Sequence, residues 1–315
     1  MIKNKPLISI IIPVKKINDY IYENVEHSLK MEYKNFEIII LPDNASNVKF
    51  KKTKIIPSGN VKPGEKRNLG VKHAKGEIIA FIDDDAYPRK DWLTNAIKGF
   101  KDKSIAAIGG PGVTPPKDSL SQKISGAIYE YGSLNYNYRY TSGKKQEIDD
   151  FPSCNLLIRK KDFLAINGFD GNYWPGEDTK LCQDLVDNSR KIVYTPNVLV
   201  YHHRRKMIKP HLKQAFNYGF YRALFVKKFG GNSLKLTYFL PSFLLIYLLF
   251  GILVSSFSSY FANFFIKTLG IYGLYLVISA RKIRDLRIFF GYIFGSIITH
   301  TAYGFGFIKG LFKLQ

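Results

Sequence analysis

Three consecutive aspartates, Asp83, Asp84 and Asp85, end an apolar run in the segment FIDDDAYP (81–88). Carboxylates at the end of a buried strand are costly to desolvate unless a cation neutralises them. Hard oxygen donors of this kind suit Mg²⁺ or Mn²⁺, and one such ion can bridge two phosphates. In extended backbone, side chains two residues apart share a face, so Asp83 and Asp85 should point together and Asp84 elsewhere. Taken alone, the triplet suits a solvated acidic turn equally well.

Two other groups carry chemistry. In GEKRNLGVKHAKGE (64–77), Lys66 and Arg67 stand near the start of an expected helix. A helix amino end favours anions, and both side chains could reach phosphates. The bland alternative is a basic amphipathic helix facing water. In FDGNYWPGEDTKL (169–181), Glu177 and Asp178 stand where a loop becomes a helix. A carboxylate there can accept a proton from an acceptor hydroxyl. By residue type alone, a helix cap with an acidic first turn is the stronger reading.

The elements that must position these groups are legible as alternating runs. LISIIIPV (7–14), FEIIIL (36–41) and EIIAFI (77–82) read as buried strands. Helical patterns follow at 18–30, 64–74 and 91–101. The stretch 109–146 is rich in Gly, Pro, Ser, Tyr and Asn and reads as looped, a cover for the site. Order returns with NLLIR (155–159), helices at 161–166 and 178–190, and a last strand over 191–201. Such alternation indicates an α/β fold with a mostly parallel sheet. Its ligands sit at the carboxyl ends of the strands, where Asp43 and Asp83 to Asp85 fall.

Composition narrows the partners. Forty-seven basic and 25 acidic residues leave a formal charge of +22, which suits nucleic acid, an anionic membrane or a phosphorylated substrate. From His202 to Lys235 there are nine Lys or Arg and no acid, directly before the uncharged run 236–266. That placement favours anionic membrane lipids, and no zinc spacing or recognition motif supports nucleic acid. A spanning helix needs roughly 20 apolar residues, so 236–280 accommodates two spans and 288–308 a third. Lys235 and RKIRDLR (281–287) then share the cytoplasmic side, with Lys309 and Lys313 outside. Two spans plus an interfacial helix is the alternative. Met207–Lys228, with aromatics among cations, suits a helix lying on headgroups, or else a plain basic linker. Cys154 and Cys182 form no metal spacing and read as small buried residues in a reducing compartment. The polar start, Met1 to Pro6, has no apolar signal region. The expected layout is a catalytic domain over 1–205, a basic juxtamembrane segment over 206–235 and a membrane domain over 236–310.

In order, SIIIPV, PDNAS, GEKRNLGVKHAKGE, FIDDDAYP, CNLLIRKKDFLAINGFD and GEDTKLC resemble family 2 glycosyltransferases over about residues 7–205. The resemblance implies a GT-A fold, a nucleotide-diphospho-sugar donor such as a UDP-sugar, a divalent cation and inversion at the anomeric carbon. It implies that Asp43 contacts the base, that Lys66 and Arg67 lie by the nucleotide with Asp84, and that Asp83 and Asp85 form a DxD metal motif. Asp178 would be the general base, with Glu177 and Trp174 lining the acceptor side. His202, or its neighbour His203, would complete the metal shell. Arg204-Arg205, QAFNYG (214–219) and AYGFGF (302–307) are similar to succinoglycan-type transferases of exopolysaccharide assembly, which places Arg204 at the substrate and implies a lipid-linked or surface-glycan acceptor. The processive motif QxxRW is absent, which argues for adding a single sugar. The rival readings are a polyprenyl-phosphate sugar synthase and a non-catalytic membrane scaffold.

Overall fold

The computed structural model describes residues 5–132 and 137–313; the start at Met1 to Asn4 and residues 133–136 of the stretch expected to loop lie outside them. The chain divides into two compact units. One comprises Met1–Pro115 and Tyr138–His203, the other Pro116–Asn137 and Arg204–Gln315.

The first unit holds β1 (Ile8–Pro13), α1 (Asp19–Leu29), β2 (Phe36–Leu41), β3 (Thr53–Ile55), α2 (Pro63–His73), β4 (Ile78–Ile82), β5 (Ala86–Pro88), α3 (Trp92–Gly99), β6 (Ile105–Gly109) and β7 (Gly112–Val113). After the excursion of α4 (Leu120–Gly132) into the second unit come β8 (Gln146–Ile148), β9 (Asn155–Arg159), α5 (Lys160–Ala165), α6 (Glu177–Asp187), β10 (Lys191–Tyr194) and β11 (Val200–His202). Eight strands form one sheet in the order β3-β2-β1-β4-β9-β6-β10-β8. The sheet is mixed. The pairs β1–β2, β1–β4, β2–β3 and β6–β10 are parallel, whereas β9 runs antiparallel to β4 and β6, and β8 antiparallel to β10.

The Ile-rich strands are buried on both faces, which explains their continuous apolar runs. Alternate side chains feed two cores: Ile8, Ile10 and Ile12 join one with Val25, Trp92 and Leu93, and Ile11, Ile39 and Phe81 join the other with Val71, Phe163 and Leu181. Register then levels the strand tips. Pro13 pairs with Leu41 and Ile11 with Phe81, so Asp43 and Asp83 emerge at the same edge. Antiparallel β9 starts at that edge, because Asn155 pairs with Ile82. A small second sheet, β5-β11-β7, sets His202 opposite Ala86.

Several sequence expectations change here. The last strand is two strands in different sheets, β10 and β11, because Pro196 interrupts the ladder and the chain crosses over between them. The stretch 109–146 is not wholly looped, since it contains β7, α4 and β8. Sequence reading also passed over β3 and β6, the latter in the short segment IAAIG.

The second unit is helical: α4, α7 (Lys209–Phe229), α8 (Leu240–Ser255), α9 (Ser259–Ser279) and α10 (Leu286–Phe312). Among the described residues two apolar helices are long enough to cross a membrane, Ser259–Lys282 and Leu286–Phe312. At 16 residues, α8 rises about 24 Å, short of a hydrocarbon core of roughly 30 Å. Among the described residues there are thus two helices of spanning length and a shorter apolar one where three spans were expected. The 207–228 segment is a helix rather than a plain linker, and α7 lies close along α10. A Cβ at Gly219 would stand 2.1 Å from the Tyr303 carbonyl oxygen, and one at Gly306 2.1 Å from that of Phe216. Buried His211 joins three helices, with Nδ1 2.7 Å from Ser125 Oγ and Nε2 2.9 Å from Thr299 Oγ1. Burial drives its pKa down to about 4, so the ring is neutral near pH 7.

Candidate active site

Asp84 parts from Asp83 and Asp85 as expected, but β4 ends at Ile82 and the three stand in a turn that the Ala86 N–H closes on the Asp83 carbonyl at 3.2 Å. Asp83, Asp85 and His202 offer ligand atoms that all lie within 4.8 Å of one another. Asp84 instead accepts a hydrogen bond from Asn18 Nδ2 at 3.0 Å, while Asn18 Oδ1 caps α1 through the Ile21 N–H. The choice between the two histidines is geometric. His202 Nε2 lies 3.1 Å from Asp85 Oδ1. His203 Nε2 lies 2.8 Å from Glu23 Oε2, with its ring 4.7 Å from that of Tyr20. Burial opposes a charge on His202, but the Asp85 carboxylate overrides it and raises the ring to about 10.

Each carboxylate of the pair thus has a cationic partner of the protein's own: Asp85 has His202, and Asp83 Oδ1 has Arg67 Nη2 at 2.7 Å. Two carboxylates and an imidazole form a donor set suited to Mn²⁺ and related divalent ions. An ion there would take over the neutralising role of the His202 proton, so the residues present fit such a group.

Lys66 and Arg67 do not face water. Each is only 4% exposed, which removes the basic amphipathic alternative. Lys66 Nζ donates to the Val14 carbonyl at 2.6 Å and forms an ion pair with Asp43. Arg67 Nη1 reaches Glu177 Oε1 at 3.1 Å. Burial works against the Arg67 charge, and Asp83, Glu177 and Asp178 together hold it protonated with a raised pKa. Its Nε, also buried, has no hydrogen-bond partner among the described residues.

At the start of α6, the backbone turns at Gly176 with φ +135°, a conformation that excludes a Cβ. Neither following acid serves as a side-chain cap, but both stand in the first turn of α6, so the capping half of the bland reading falls and its acidic first turn holds. Glu177 is buried, and its Oε2 accepts from the Gly176 N–H at 3.0 Å. Asp178 is half-buried and accepts from the Ser153 N–H at 3.1 Å. Burial and the adjacent Glu177 lift its pKa from the ordinary 3.8 to about 6, with Arg67 opposing the shift. A carboxylate so poised can take a proton near neutrality. Trp174, two residues before Gly176, is 46% exposed, an aromatic face open to a ligand.

Asp43, Lys66, Arg67, Asp83, Asp84, Asp85, Glu177, Asp178 and His202 all belong to the first unit. Arg204 is assigned to the second, where it is buried and its N–H points to Asp118 Oδ2 at 3.5 Å. Sequence reasoning missed Ser153 and Cys154, which reach the site only because β9 runs antiparallel. Cys182 is buried as expected, but Cys154 is half-buried and hydrogen-bonds the His202 ring, so it is not an inert core residue. Asn18 left a signal in its cap position before a helical run.

The chain is 23% identical over 328 aligned residues to a dolichyl N-acetyl-alpha-D-glucosaminyl phosphate 3-beta-D-2,3-diacetamido-2,3-dideoxy-beta-D-glucuronosyltransferase of Methanococcus voltae, covering 97% of each chain. Over 100 residues it is 40% identical to a UDP-Glc:alpha-D-GlcNAc-diphosphoundecaprenol beta-1,3-glucosyltransferase of Escherichia coli, covering 29% of this chain and 38% of that enzyme. Its fold resembles that of a mannosyltransferase of Pyrobaculum calidifontis solved with GDP-Man and Mn²⁺, with a TM-score of 0.53 and 16% identity over 71% of this chain and 65% of that one. The model of glycosyl transferase family 2 matches residues 9–166, half of the chain, and the protein is a glycosyltransferase belonging to that family.

Proposed function

We propose that the protein transfers a single sugar from a nucleotide-diphospho-sugar to a lipid-linked or surface-glycan acceptor, inverting the anomeric centre at a membrane face. The observation that carries the reading is Asp178, whose carboxylate accepts the Ser153 N–H at 3.1 Å beside the buried Glu177, in the same unit as the carboxylate–imidazole group. Asp83, Asp85 and His202 would hold a divalent cation, which when bound supplies positive charge to a diphosphate.

The chain's own residues account for the rest. Asp43, held by Lys66, would accept an N–H from the nucleotide base, and Asp84 would lie beside the nucleotide. Trp174 and Glu177 would bind the acceptor, oriented so that its hydroxyl meets Asp178. As the hydroxyl oxygen forms a bond to the anomeric carbon, Asp178 takes its proton. The bond from that carbon to the diphosphate oxygen breaks from the opposite face, and its electron pair leaves with the diphosphate. A hydroxyl acceptor needs such a base, whereas a lipid phosphate, the acceptor of a polyprenyl-phosphate sugar synthase, is already ionised. A carboxylate at Asp178 placed for that role therefore favours the glycan acceptor.

A membrane setting is supported by the two long apolar helices and by relatives whose names specify dolichyl- and undecaprenol-linked substrates. Lys235 and Arg281–Arg287 share a side under the positive-inside rule only if the chain between them crosses an even number of times, which requires the short α8, lengthened by the helical turn Leu236–Tyr238 before it, to cross with α9. The cytoplasmic side would then carry the catalytic part within residues 1–205, and the α7 lysines would meet anionic lipid headgroups.

The deciding experiment is a donor screen with detergent-purified protein, reading nucleotide diphosphate release with and without Mn²⁺ and a polyprenyl-diphosphate-linked sugar. Release that needs both ion and acceptor is the expected result. A protein that releases nothing with any donor would make the fold a scaffold.

A further inference from the structure

The segment GEKRN does more than stand beside a nucleotide. Four residues in or just before α2 touch the loop that delivers Glu177 and Asp178. Lys62 Nζ donates to the Gly171 carbonyl at 2.8 Å. A Cβ on Gly64 would stand 3.1 Å from both Phe169 Cβ and Glu177 Cγ, so the helix start lies directly against that loop. Asn68 makes a reciprocal pair with the Phe169 backbone, donating from Nδ2 at 2.7 Å and accepting on Oδ1 at 2.9 Å. Arg67 stacks its guanidinium 5.5 Å from the Phe169 ring centre. Only Arg67 also reaches the other half of the site, with one nitrogen on Asp83 and one on Glu177.

We propose that Arg67 is a positioning residue that spans the site, fixing the acceptor-side Glu177 to the cation-side Asp83 through a two-ended guanidinium bridge. The inference rests on the transferase reading above and assigns Arg67 a different job from nucleotide contact. A planar guanidinium suits this job because its two terminal nitrogens can hold two carboxylates at a fixed spacing. A lysine ammonium is a single point and cannot reproduce that spacing. The geometry matters because a misplacement of about 1 Å between reacting groups can lower turnover about 100-fold.

The test uses the full-length protein in detergent, with Arg67→Met, Arg67→Lys, Glu177→Gln and the Arg67→Met/Glu177→Gln double variant. Melting curves identify the variants that remain folded, and Arg67→Lys carries the test if Arg67→Met does not fold. Nucleotide diphosphate titration gives donor-side affinity, and release assays give kcat. If Arg67 bridges, kcat falls about 100-fold in Arg67→Met and about 10-fold in Arg67→Lys, while nucleotide affinity changes less than about threefold. The double variant is then no worse than the poorer single one, as coupled neighbours require. Three outcomes overturn the bridge: nucleotide affinity falling more than about tenfold with kcat intact, additive losses in the double variant, or full rescue by lysine. A wild-type protein that releases nothing fails differently, because the transferase reading then falls and takes the bridge with it.

Discussion

The Ser153 N–H lies 3.1 Å from Asp178 Oδ2, so a residue at the mouth of an antiparallel strand fixes one oxygen of the proposed base. The bond favours the ionised carboxylate, as does Arg67, while burial and Glu177 favour the protonated one. The balance leaves a group that changes charge within a pH unit or so of neutrality.

Asp178→Asn should therefore remove proton acceptance while keeping shape. The expected loss in kcat is about 10²–10⁴-fold with a hydroxyl acceptor, read as nucleotide diphosphate release. Full activity in this variant would favour a phosphate acceptor.

The same group predicts a pH dependence of known sign. Activity needs Asp178 ionised, so kcat should fall as pH drops through about 6. Stability runs the other way. The folded pKa is raised above the ordinary 3.8, so the folded state binds more protons in that window and stability declines as pH rises from about 4 to 6. Melting temperatures of wild type and Asp178→Asn, compared at pH 4.5 and 7, check this: the variant should lack this component of the decline.

Removing Asp85 should uncouple the protein from divalent ions. Asp85→Ala is expected to abolish Mn²⁺-stimulated release, and His202→Ala to weaken Mn²⁺ binding about tenfold or more, measured by the free-ion resonance signal. Unchanged binding in both variants would move the ion elsewhere.

The contact between α7 and α10 makes a separate stability prediction. Gly306→Val forces a side chain into the Phe216 carbonyl and should cost about 1–3 kcal/mol or more. Gly270→Val on α9 has nothing within 4 Å and should stay within about 0.5 kcal/mol. Thermal melts in one detergent compare the two; equal melts would refute the close packing.

Membrane attachment is checked by alkaline carbonate extraction of cells expressing the chain. The protein should remain with the pellet, and its release into the supernatant would refute spanning by α9 and α10.

Much of this was legible in the residues themselves. Continuous Ile runs identify buried strands because a strand covered on both faces has no polar side, and β1, β2 and β4 appear where those runs stand. Residue spacing set Asp84 apart from Asp83 and Asp85 as found, although a turn from Asp83 to Ala86, and not alternation along a strand, does the parting. The ordered motifs identified the family, since together they set particular residue types along strands, helix starts and turns in one order.

The tertiary structure decided what distance along the chain conceals. Strand direction is not written in a run such as NLLIR, so only the assembled sheet shows that β9 runs backwards and brings Ser153 and Cys154 to the site. Local pattern likewise leaves open whether a lysine or arginine near a helix start faces water. Lys66 and Arg67 are buried because carboxylates 16 to 110 residues away meet them, and pairing of that range exists only once the chain has folded. The same holds for His202 over His203: His202 is the last residue of β11, whose pairing with β5 sets it opposite Ala86 and beside Asp85, whereas His203 lies just past the strand and turns to Glu23.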